Sequence, residues 1–344
     1  MTPTTQATQA SRATRATPVR PRGEPGRALV TGGAGFIGST LVDRLLAEGR
    51  AVDVVDDLSS GSLSNLAEAR SSGSGKLSFY QLDIRSPDLA ELMARRRPEV
   101  VYHLAAQADV RVSVARPVFD ADVNVLGTVN VLEGARAAGG ARVVFAASGG
   151  TLYGDPDPAL LPLDESTPQH PLSPYGVSKK AAIDYLATYG ELHGLESCAL
   201  ALANVYGPRQ DPHGEAGVVA IFAGRLLAGQ PCTIYGDGSQ TRDFVYVDDV
   251  VDAFARAGQG GGESLVVNIG TGVETSVRDL HDVMARAAGA ELAPALAPPR
   301  PGEQQRSCLD PGRAFASLGW KPWTGLEEGT AAVLESVRGR GRPL

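Results

Sequence analysis

Short apolar runs alternate with segments of helical periodicity between residues 27 and 202. The apolar runs predict strands at 28–30, 51–55, 77–82, 100–104, 142–146 and 197–202. The periodic segments predict helices at 39–46, 87–97, 120–138 and 175–193. Parallel strands need helical crossovers, and these are right-handed, so the alternation predicts helices on both faces of one sheet. We therefore expect a doubly wound, Rossmann-type α/β fold.

The pattern changes after residue 203. Gly, Pro and Asp become more frequent, with short helices predicted at 218–228, 247–256 and 277–288 and isolated strands at 233–235 and 265–269. Residues 294–302 show no secondary-structure pattern. The polar first segment lacks apolar periodicity and is predicted to be disordered. We divide the chain into this N-terminal extension (1–26), a dinucleotide-binding domain (27–203) and a smaller α/β substrate-binding region (204–344), partly interleaved with the domain before it.

A glycine cluster lies between the first strand and the first helix. Gly32, Gly35 and Gly38 follow a G-x-x-G-x-x-G pattern. Glycine allows a sharp turn and a close approach to pyrophosphate, and the free N–H groups of the helix attract phosphate. The next strand ends in Asp56 and Asp57, at the spacing of about twenty residues where a carboxylate binds a ribose diol. This context predicts an NAD site and argues against NADP.

Bulk composition excludes several other classes of protein. The chain has 344 residues, a net charge of -7 and a pI near 5.3, which argue against nucleic acid or an anionic membrane as partner. No apolar run reaches membrane length, and the first residues lack a secretory signal. Three scattered cysteines, Cys198, Cys232 and Cys308, fit reduced thiols and no zinc site. We expect a cytoplasmic protein without a metal.

The segment 173–179, Ser-Pro-Tyr-Gly-Val-Ser-Lys, contains a candidate catalytic pair. Tyr175 and Lys179 are four positions apart and share a helix face. Tyrosine is a poor base at its free pKa of about 10, but a nearby ammonium and an oxidised nicotinamide both favour the phenolate. An ordinary surface pair is the alternative, and the glycine loop upstream favours catalysis.

The chain from about Arg27 to Glu335 resembles the extended short-chain dehydrogenase/reductases, and among these the UDP-hexose 4-epimerases. The motifs that carry the resemblance are TGGAGFIG (31–38), DDLSSG (56–61), LDIR (82–85), HLAAQ (103–107), ASGGTLYG (147–154), SPYGVSK (173–179), ANVYGPRQ (203–210) and TRDFVYVDD (241–249).

The resemblance implies NAD as cofactor. The residues that it places around NAD are Gly32, Gly35, Phe36, Ile37 and Gly38 at the pyrophosphate, Asp56 at the adenosine ribose with Asp57, Leu58, Ser60 and Gly61 in the same loop, Asp83 and Ile84 at the adenine, and Leu104, Ala105, Ala106, Gln107 and Asn124 along one wall.

The resemblance also implies roles at the sugar. Tyr175 and Lys179 would act with Ser148, which would hydrogen-bond the sugar 4-oxygen. Gly149 and Gly150 make this loop longer than in some family members, so Thr151 stays open as the alternative hydroxyl and as a substrate contact. The residues implied for the nucleotide are Asn204, Arg242 and Arg300 at the diphosphate, Val218, Thr233 and Tyr235 at the uridine, and Glu303 at its ribose hydroxyls.

One position departs from the family pattern, because some epimerases have a lysine near the pyrophosphate where this chain has Ala108. Arg111 or another group would have to compensate for it. For each of the diphosphate arginines, a solvated surface charge is the alternative.

Related enzymes share the first oxidation at C4 but differ in the later steps. The 4,6-dehydratases and glucuronate decarboxylases have an acidic residue two or three places before a Tyr-Gly pair, where this chain has Gly150 and Thr151. Reversible hydride transfer with a retained cofactor therefore remains. A reductase that releases the reduced cofactor is one alternative. A non-catalytic NAD-binding scaffold is another, although the presence of Tyr175 and Lys179 argues against it.

The sugar itself is less well defined. The resemblance places Ser307 where sugar-restricted epimerases have a bulky gate, so an N-acetyl group has room. Thr151 could bond a C6 carboxylate. UDP-glucose/UDP-galactose comes first, with UDP-glucuronate/UDP-galacturonate and UDP-N-acetylhexosamines as alternatives. The helices at 120–138 and 175–193 are apolar on more than one face, and in the family they pair across a dimer axis, so we expect a homodimer.

Overall fold

The structure, a computed structural model, describes residues 26–72, 76–212, 217–260, 265–300 and 304–340. Residues 1–25 of the expected N-terminal extension and Glu303 lie outside these ranges. The strands are β1 (Arg27–Thr31), β2 (Ala51–Asp56), β3 (Leu77–Gln81), β4 (Val100–His103), β5 (Arg142–Ser148), β6 (Ser197–Leu202), β7 (Asn204–Tyr206), β8 (Thr233–Tyr235), β9 (Thr241–Arg242), β10 (Phe244–Tyr246), β11 (Leu265–Ile269), β12 (Thr275–Ser276) and β13 (Ala295–Ala297).

The helices surround these strands. They are α1 (Phe36–Ala47), α2 (Ala67–Ser71), α3 (Asp88–Arg96), α4 (Val110–Ala115), α5 (Pro117–Ala121), α6 (Gly127–Ala137), α7 (Gly149–Leu152), α8 (Pro174–His193), α9 (Val218–Leu227), α10 (Val247–Gly258), α11 (Val277–Ala288), α12 (Gly312–Leu318) and α13 (Leu326–Arg340). A π-helical turn at Asp122–Leu126 joins α5 to α6, so the expected long helix runs with one wider turn from 117 to 137.

Within the described residues, seven parallel strands form the central sheet in the order β11-β6-β5-β4-β1-β2-β3. This order confirms the predicted doubly wound α/β fold. The last strand, β11, comes from beyond residue 203 and pairs with β6, with Leu265 opposite Cys198. The sheet is therefore completed by the C-terminal part of the chain.

Alternate residues along each strand enter two separate cores. In β1, Val30 packs with Leu41 of α1 and Val250 of α10 on one face of the sheet. Its neighbour Leu29 packs on the other face with Leu92 of α3 and Leu132 of α6. Successive side chains of a strand point to opposite faces, and full burial of each such side chain contributes about 1.5–3 kcal/mol. Both faces of the sheet are thus covered by helices.

Three small two-stranded sheets are formed by described residues after β6. Strands β7 and β10 pair in parallel, as do β8 and β13, and β9 pairs with β12 in antiparallel fashion. The expectation of no regular structure at 294–302 was wrong for Ala295–Ala297, which form β13. A strand of three residues is too short to show a local pattern, and it forms because β8 supplies its hydrogen-bonding partner.

Candidate functional site

The glycine loop makes a sharp turn between β1 and α1. Gly32 has a φ of 69°, which side chains rarely adopt, and its amide donates to the Val55 carbonyl at 2.8 Å. A Cβ added at Gly38 would lie 2.1 Å from the Gly32 carbonyl oxygen, and one at Gly32 would lie 2.7 Å from the Ala105 nitrogen. Glycine therefore lets α1 begin directly against β1 and the loop after β4.

The start of α1 has the properties of a phosphate site. Gly35 precedes the helix without a side-chain cap, Phe36 and Ile37 begin it half-buried, and its first turn contains no acidic residue. Among the described residues, a Cβ at Gly35 would meet only the Gly32 carbonyl oxygen, at 3.2 Å. Free amides and the positive end of the helix dipole therefore face open space, which fits a pyrophosphate.

Asp56 ends β2 and is buried beside this loop. Its two oxygens accept hydrogen bonds from the Ala34 and Leu58 amides, each at 2.9 Å. Burial raises the pKa of Asp56, and these two hydrogen bonds oppose that rise. A carboxylate has about four acceptor sites, so two remain for the hydroxyls of a ribose.

The segment after Asp56 folds back onto the glycine loop. The Asn65 side chain donates to the Ala34 carbonyl at 2.9 Å, and a Cβ at Gly61 would lie 2.8 Å from the Asp56 carboxylate. Asp57 and Ser60 lie on the exposed side of this segment, and Leu58 is half-buried. Of the predicted loop residues, Leu58 and Gly61 are therefore the ones that border the buried carboxylate.

The predicted adenine residues follow β3. The Leu82 amide donates to the Asp56 carbonyl at 3.1 Å, which places this segment beside the end of β2. Asp83 accepts hydrogen bonds from Arg85, which lowers the pKa of the carboxyl group. Ile84 is buried and packs against Gly127 of α6, where an added Cβ would lie 2.6 Å from Ile84 Cδ1. Asp83 is thus already paired, and its adenine role stays a prediction.

The loop after β4 is fixed by an amide side chain on the π-helical turn. The Gln107 amide donates to Asn124 Oδ1, and Asn124 Nδ2 donates to the Gln107 carbonyl, both at 2.9 Å. Asn124 is buried, whereas Leu104, Ala105, Ala106 and Gln107 are half-buried. These reciprocal hydrogen bonds hold the wall that the sequence predicts along the cofactor.

Arg111, the group expected to compensate for Ala108, lies on the outside of this region. Its guanidinium is exposed and pairs with Asp109 at 2.7 Å. Asp109 also caps α4 by accepting hydrogen bonds from the Arg111 and Val112 amides. The contacts of Arg111 therefore explain the start of α4 and give no sign of a phosphate ligand.

Helix α8 begins beside α7. Ser173 caps α8 by accepting a hydrogen bond from the Gly176 amide at 3.2 Å, and Pro174 occupies the first helical position. A Cβ at Gly176 would lie 2.8 Å from the Thr151 carbonyl oxygen. Glycine thus allows the first turn of α8, which carries Tyr175, to pack directly on the residues after β5.

Lys179 lies inside the protein below Tyr175. Its side chain is 3% exposed, and its Nζ lies 5.7 Å from the centroid of the Tyr175 ring. Nζ donates to the Ala146 carbonyl at 2.9 Å. Burial lowers the pKa of Lys179 to about 8, and the charge of Asp120 opposes this effect. An ordinary surface pair would leave the lysine in water, which is not what the structure shows.

Two hydroxyl side chains follow the end of β5. Ser148 is half-buried at the last position of the strand, and residues 149–152 form α7 where the sequence suggested a longer loop. Gly149 has no room for a Cβ, which would lie 2.4 Å from Leu309 Cδ1. Among the described residues, Thr151 Oγ1 is buried without a hydrogen-bond partner. Both hydroxyls thus remain candidates for the sugar.

Sequence reasoning missed two buried polar side chains. His103 ends β4, with Nδ1 2.8 Å from Thr31 Oγ1 and Nε2 3.0 Å from Thr128 Oγ1. The Thr128 hydroxyl donates to the Asn124 carbonyl, so it accepts the proton of Nε2, and Nδ1 accepts from Thr31. Burial, and then the nearby Lys179, lower the pKa of His103 to about 3. This histidine is neutral and joins β1 to α6.

The second missed side chain is Asp120 on α5. It is fully buried and accepts hydrogen bonds from Gln107 Nε2 at 2.9 Å, Asn124 Nδ2 at 3.0 Å and Ser178 Oγ at 2.6 Å. In the sequence it stood at the start of a predicted helix, where acidic residues are common for electrostatic reasons. The polar residues Asp122 and Asn124 follow it closely, so no local pattern singled it out.

The predicted nucleotide residues lie on the small sheets and on α9. Val218 is the first residue of α9, and Thr233 and Tyr235 are on β8. Strand β13 runs beside β8 and leads to Arg300, whose guanidinium carbon lies 3.9 Å from the centroid of the Tyr235 ring. The structure therefore brings together one predicted phosphate ligand and one predicted uridine contact.

The remaining nucleotide residues lie on other strands. Arg242 is on β9, which pairs with β12, and Asn204 is exposed at the start of β7. The amide of Thr241 donates to the Gln305 carbonyl at 2.9 Å, which holds the segment containing the buried Ser307 beside β9. The described residues end at 300 and resume at 304 here, so Glu303 has no described position.

Other ligand classes find no support in the described part of the chain. No described helix is long and apolar enough to cross a membrane. The described residues contain no group of three or more His, Cys, Asp or Glu side chains that could hold a metal ion. The three cysteines are buried free thiols, and burial raises the pKa of Cys198 to about 11.

Several known proteins are similar to this chain in sequence. Residues 28–270 match the NAD dependent epimerase/dehydratase family. Over 316 residues the chain is 54% identical to the UDP-glucose 4-epimerase of Mycolicibacterium smegmatis, covering 92% of this chain and 100% of that protein. It is 35% identical to the UDP-glucose 4-epimerase of Streptomyces lividans, covering 86% of this chain and 92% of that protein.

Two solved structures are similar over nearly the whole described fold. The UDP-glucose 4-epimerase of Thermotoga maritima with UDP-glucose is 43% identical, with a TM-score of 0.87 over 91% of this chain and 99% of that chain. The UDP-glucose 4-epimerase of Thermus thermophilus in complex with NAD is 44% identical, with a TM-score of 0.83 over the same shares.

Proposed function

Because the chain belongs to the NAD dependent epimerase/dehydratase family, we propose that it interconverts UDP-glucose and UDP-galactose by reversible oxidation at C4 of the sugar. The observation that carries this proposal is the buried Lys179 ammonium, 5.7 Å from the Tyr175 ring at the start of α8. The resemblance in sequence and fold to UDP-glucose 4-epimerases, from several organisms, supports the choice of substrate.

Tyr175 acts as the base. The positive charge of Lys179 favours its phenolate, which removes the proton of the sugar 4-hydroxyl as C4 is oxidised. A hydroxyl at the end of β5 orients the same oxygen. Ser148 is the first choice for this hydroxyl. Thr151 is the second candidate, since its buried Oγ1 has no hydrogen-bond partner among the described residues.

The cofactor side has the residues that NAD needs. The amides around Gly35 and Phe36 would hold the pyrophosphate, Asp56 the adenosine ribose, and the wall fixed by Asn124 the nicotinamide half. When bound, NAD would supply a reversible acceptor for the hydride of C4. Return to the other face of C4 requires that the 4-keto sugar turn over within the site while the nucleotide stays in place.

The nucleotide must therefore supply most of the binding energy, since contacts to the sugar would hinder its rotation. Arg242 and Arg300 offer planar guanidinium groups suited to a diphosphate. Tyr235 already stacks against Arg300 and would complete the uridine side with Val218 and Thr233, while Asn204 would contact the diphosphate. These assignments come from the family motifs.

Elimination and decarboxylation would need an acidic residue close to the sugar, beside the end of β5. The family resemblance places an acidic residue for these reactions at the positions of Gly150 and Thr151. Gly150 carries no side chain, and a Cβ there would meet no atom of the described residues within 4 Å. Reversible hydride transfer without a further chemical step is the reaction that these residues support.

Two observations favour other UDP-sugars as second candidates. Ser307, which the resemblance places at the gate position, is a small side chain, and a small gate would give an N-acetyl group room. The Thr151 hydroxyl, which has no partner among the described residues, offers a hydrogen bond to the carboxylate of UDP-glucuronate. Initial rates across a panel of UDP-hexoses, UDP-hexuronates and UDP-N-acetylhexosamines rank these substrates directly.

We also infer a homodimer. Exposed apolar side chains cluster on α4, α5, the π-helical turn and α8, among them Val114, Val118, Leu126, Val177 and Leu192. Val118 is 83% exposed, and contiguous apolar surface of this kind marks a protein interface. Light scattering of the protein should give twice the chain mass, and Val118→Glu should shift the measured mass toward that of the monomer.

The free cysteines support a cytoplasmic location.

Conversion of UDP-galactose by the purified protein, without added cofactor, tests the proposed reaction. The expected product is UDP-glucose, with no net reduced nicotinamide in solution. One equivalent of reduced nicotinamide per sugar would instead identify a dehydrogenase. Absence of any conversion, with bound NAD demonstrated, would leave the scaffold alternative.

A further inference from the structure

Asp120 is a fully buried carboxylate at a point where three parts of the site meet. Its Oδ1 accepts hydrogen bonds from Gln107 in the loop after β4 and from Asn124 in the π-helical turn. Its Oδ2 accepts from Ser178, the residue directly before Lys179 on α8. One side chain thus connects the cofactor wall to the helix that carries the catalytic pair.

The buried ammonium of Lys179 needs a counter-charge. The titratable groups that face it are Asp120 from α5, the neutral His103 from β4 and Tyr175 from α8. Strand β5 contributes the Phe145 ring, 4.7 Å from Nζ, and a carbonyl oxygen. Asp120 accepts a hydrogen bond from Ser178, the residue directly before Lys179, and its charge opposes the fall in the pKa of Lys179 that burial causes.

We propose that Asp120 is a positioning residue that serves as the buried counter-charge of Lys179 and fixes α8 against the loop after β4. This inference rests on the proposed function only in assigning Tyr175 as the base. Without a counter-charge, a fully desolvated ammonium loses its proton more readily. A neutral Lys179 would no longer favour the Tyr175 phenolate, so Asp120 acts on the reaction through Lys179 without touching the sugar.

Asp120→Asn separates the charge from the hydrogen bonds. Asparagine has the same shape, keeps an acceptor for Gln107 and Asn124, and offers a donor to Ser178. Loss of the charge lowers the pH at which Lys179 deprotonates. The alkaline limb of the kcat–pH profile should therefore move to lower pH by about one unit, so kcat should fall about twofold at neutral pH and about tenfold on the alkaline side of the limb.

Two matched variants control for structural damage. Asp249 is another fully buried carboxylate, which accepts hydrogen bonds from residues 323 and 324. Asp249→Asn should cost stability without moving either limb of the profile. Ser178→Ala removes the shortest hydrogen bond to Asp120 but keeps its charge, so it should lower kcat with the limbs unchanged. An Asp120→Asn profile that superimposes on the wild-type profile would overturn the proposal.

Two further measurements need neither cofactor nor turnover. The phenolate absorption of Tyr175, taken as the difference from Tyr175→Phe, should develop at higher pH in Asp120→Asn. In a double-mutant cycle of unfolding free energies, the variant with both Asp120→Asn and Lys179→Met should be more stable than either single variant. Each single variant leaves one buried charge without its opposite charge. Additive stabilities together with an unmoved phenolate titration would refute the counter-charge. Wild-type inactivity would refute only the proposed reaction, since both measurements would still report on Asp120.

Discussion

The cofactor side of the site and the nucleotide-sugar side are held in different ways. On the cofactor side Asp56, Asn124 and Lys179 are buried, and each is fixed by hydrogen bonds to the backbone. On the sugar side Asn204 and Arg300 are exposed, and the strands that carry the predicted ligands have only two or three residues. A preorganised wall suits a ligand that stays bound, whereas a more exposed one suits a ligand that exchanges every turnover.

In the proposed site the two sides meet at Tyr175, where a substitution should have the largest effect. Tyr175→Phe should lower kcat by about 10²–10⁴-fold, since the general base is lost while the packing of α8 is kept. Binding of UDP, measured by calorimetry, should stay within about twofold because the nucleotide contacts lie elsewhere. Undiminished turnover would remove Tyr175 as the base.

The cofactor side should fail when its close packing is disturbed. Gly38→Ala places a Cβ 2.1 Å from the Gly32 carbonyl oxygen, which should cost about 1–3 kcal/mol of stability and most of the bound NAD. Thermal unfolding and the nicotinamide released on denaturation measure the two effects.

Gly224 in α9 provides the matched control for Gly38. Among the described residues, a Cβ there meets nothing within 4 Å. Gly224→Ala should therefore raise the free energy of unfolding by up to about 1 kcal/mol and leave the NAD content unchanged. Equal NAD content in both variants would contradict the tight packing inferred for the glycine loop.

The sugar side should respond in substrate affinity alone. Arg300→Ala removes an exposed guanidinium that stacks on Tyr235, so we expect KM for UDP-galactose to rise about tenfold, with little change in kcat or bound NAD. Arg286→Ala, at an exposed position of α11, should change neither constant. A loss of NAD in Arg300→Ala would mean that the two sides are not independent.

The pH dependence of stability tests the interior of the cofactor side. Burial holds the pKa of His103 at about 3, against 6.5 for the free side chain. Between these pH values the unfolded chain binds a proton that the folded chain does not. The contribution of His103 to the free energy of unfolding is therefore complete above pH 6.5 and is lost as the pH falls toward 3. His103→Asn should have a shallower loss of unfolding free energy over this range.

Urea midpoints at a series of pH values compare the two proteins. The difference between their unfolding free energies should change with pH at the slope expected for the binding of one proton, because all other titrating groups are common to both. Parallel curves would show that His103 does not stay neutral inside the fold.

Much of this architecture was predictable from local sequence patterns. The strands around the glycine loop, the helix at 175–193 and the family resemblance are confirmed because each depends on periodicity or on a short motif. The start of α8 is an example, since Ser173 and Pro174 form a recognisable cap. The individual ligand assignments stay predictions.

Features that depend on distant partners were not predictable. Strand β13 needs β8, and the role of Asp120 depends on Gln107 and Ser178, which are separated from it in the chain. Neither periodicity nor composition encodes such a meeting of side chains. The Thr151 hydroxyl, unpartnered within the described residues, belongs to the same class, because a missing contact has no signature in a sequence.

The position of β11 has a consequence for how the protein is made. Strand β6 is buried along its whole length, and its outer neighbour is β11, which begins only at residue 265. At about 5–20 residues per second, a ribosome needs several seconds to synthesise the segment between them. During that time an apolar strand edge in the nascent chain awaits its partner, and such an edge pairs readily with other chains. Premature termination before residue 265 would make this edge permanent, so truncated products should be substrates for chaperones and proteases.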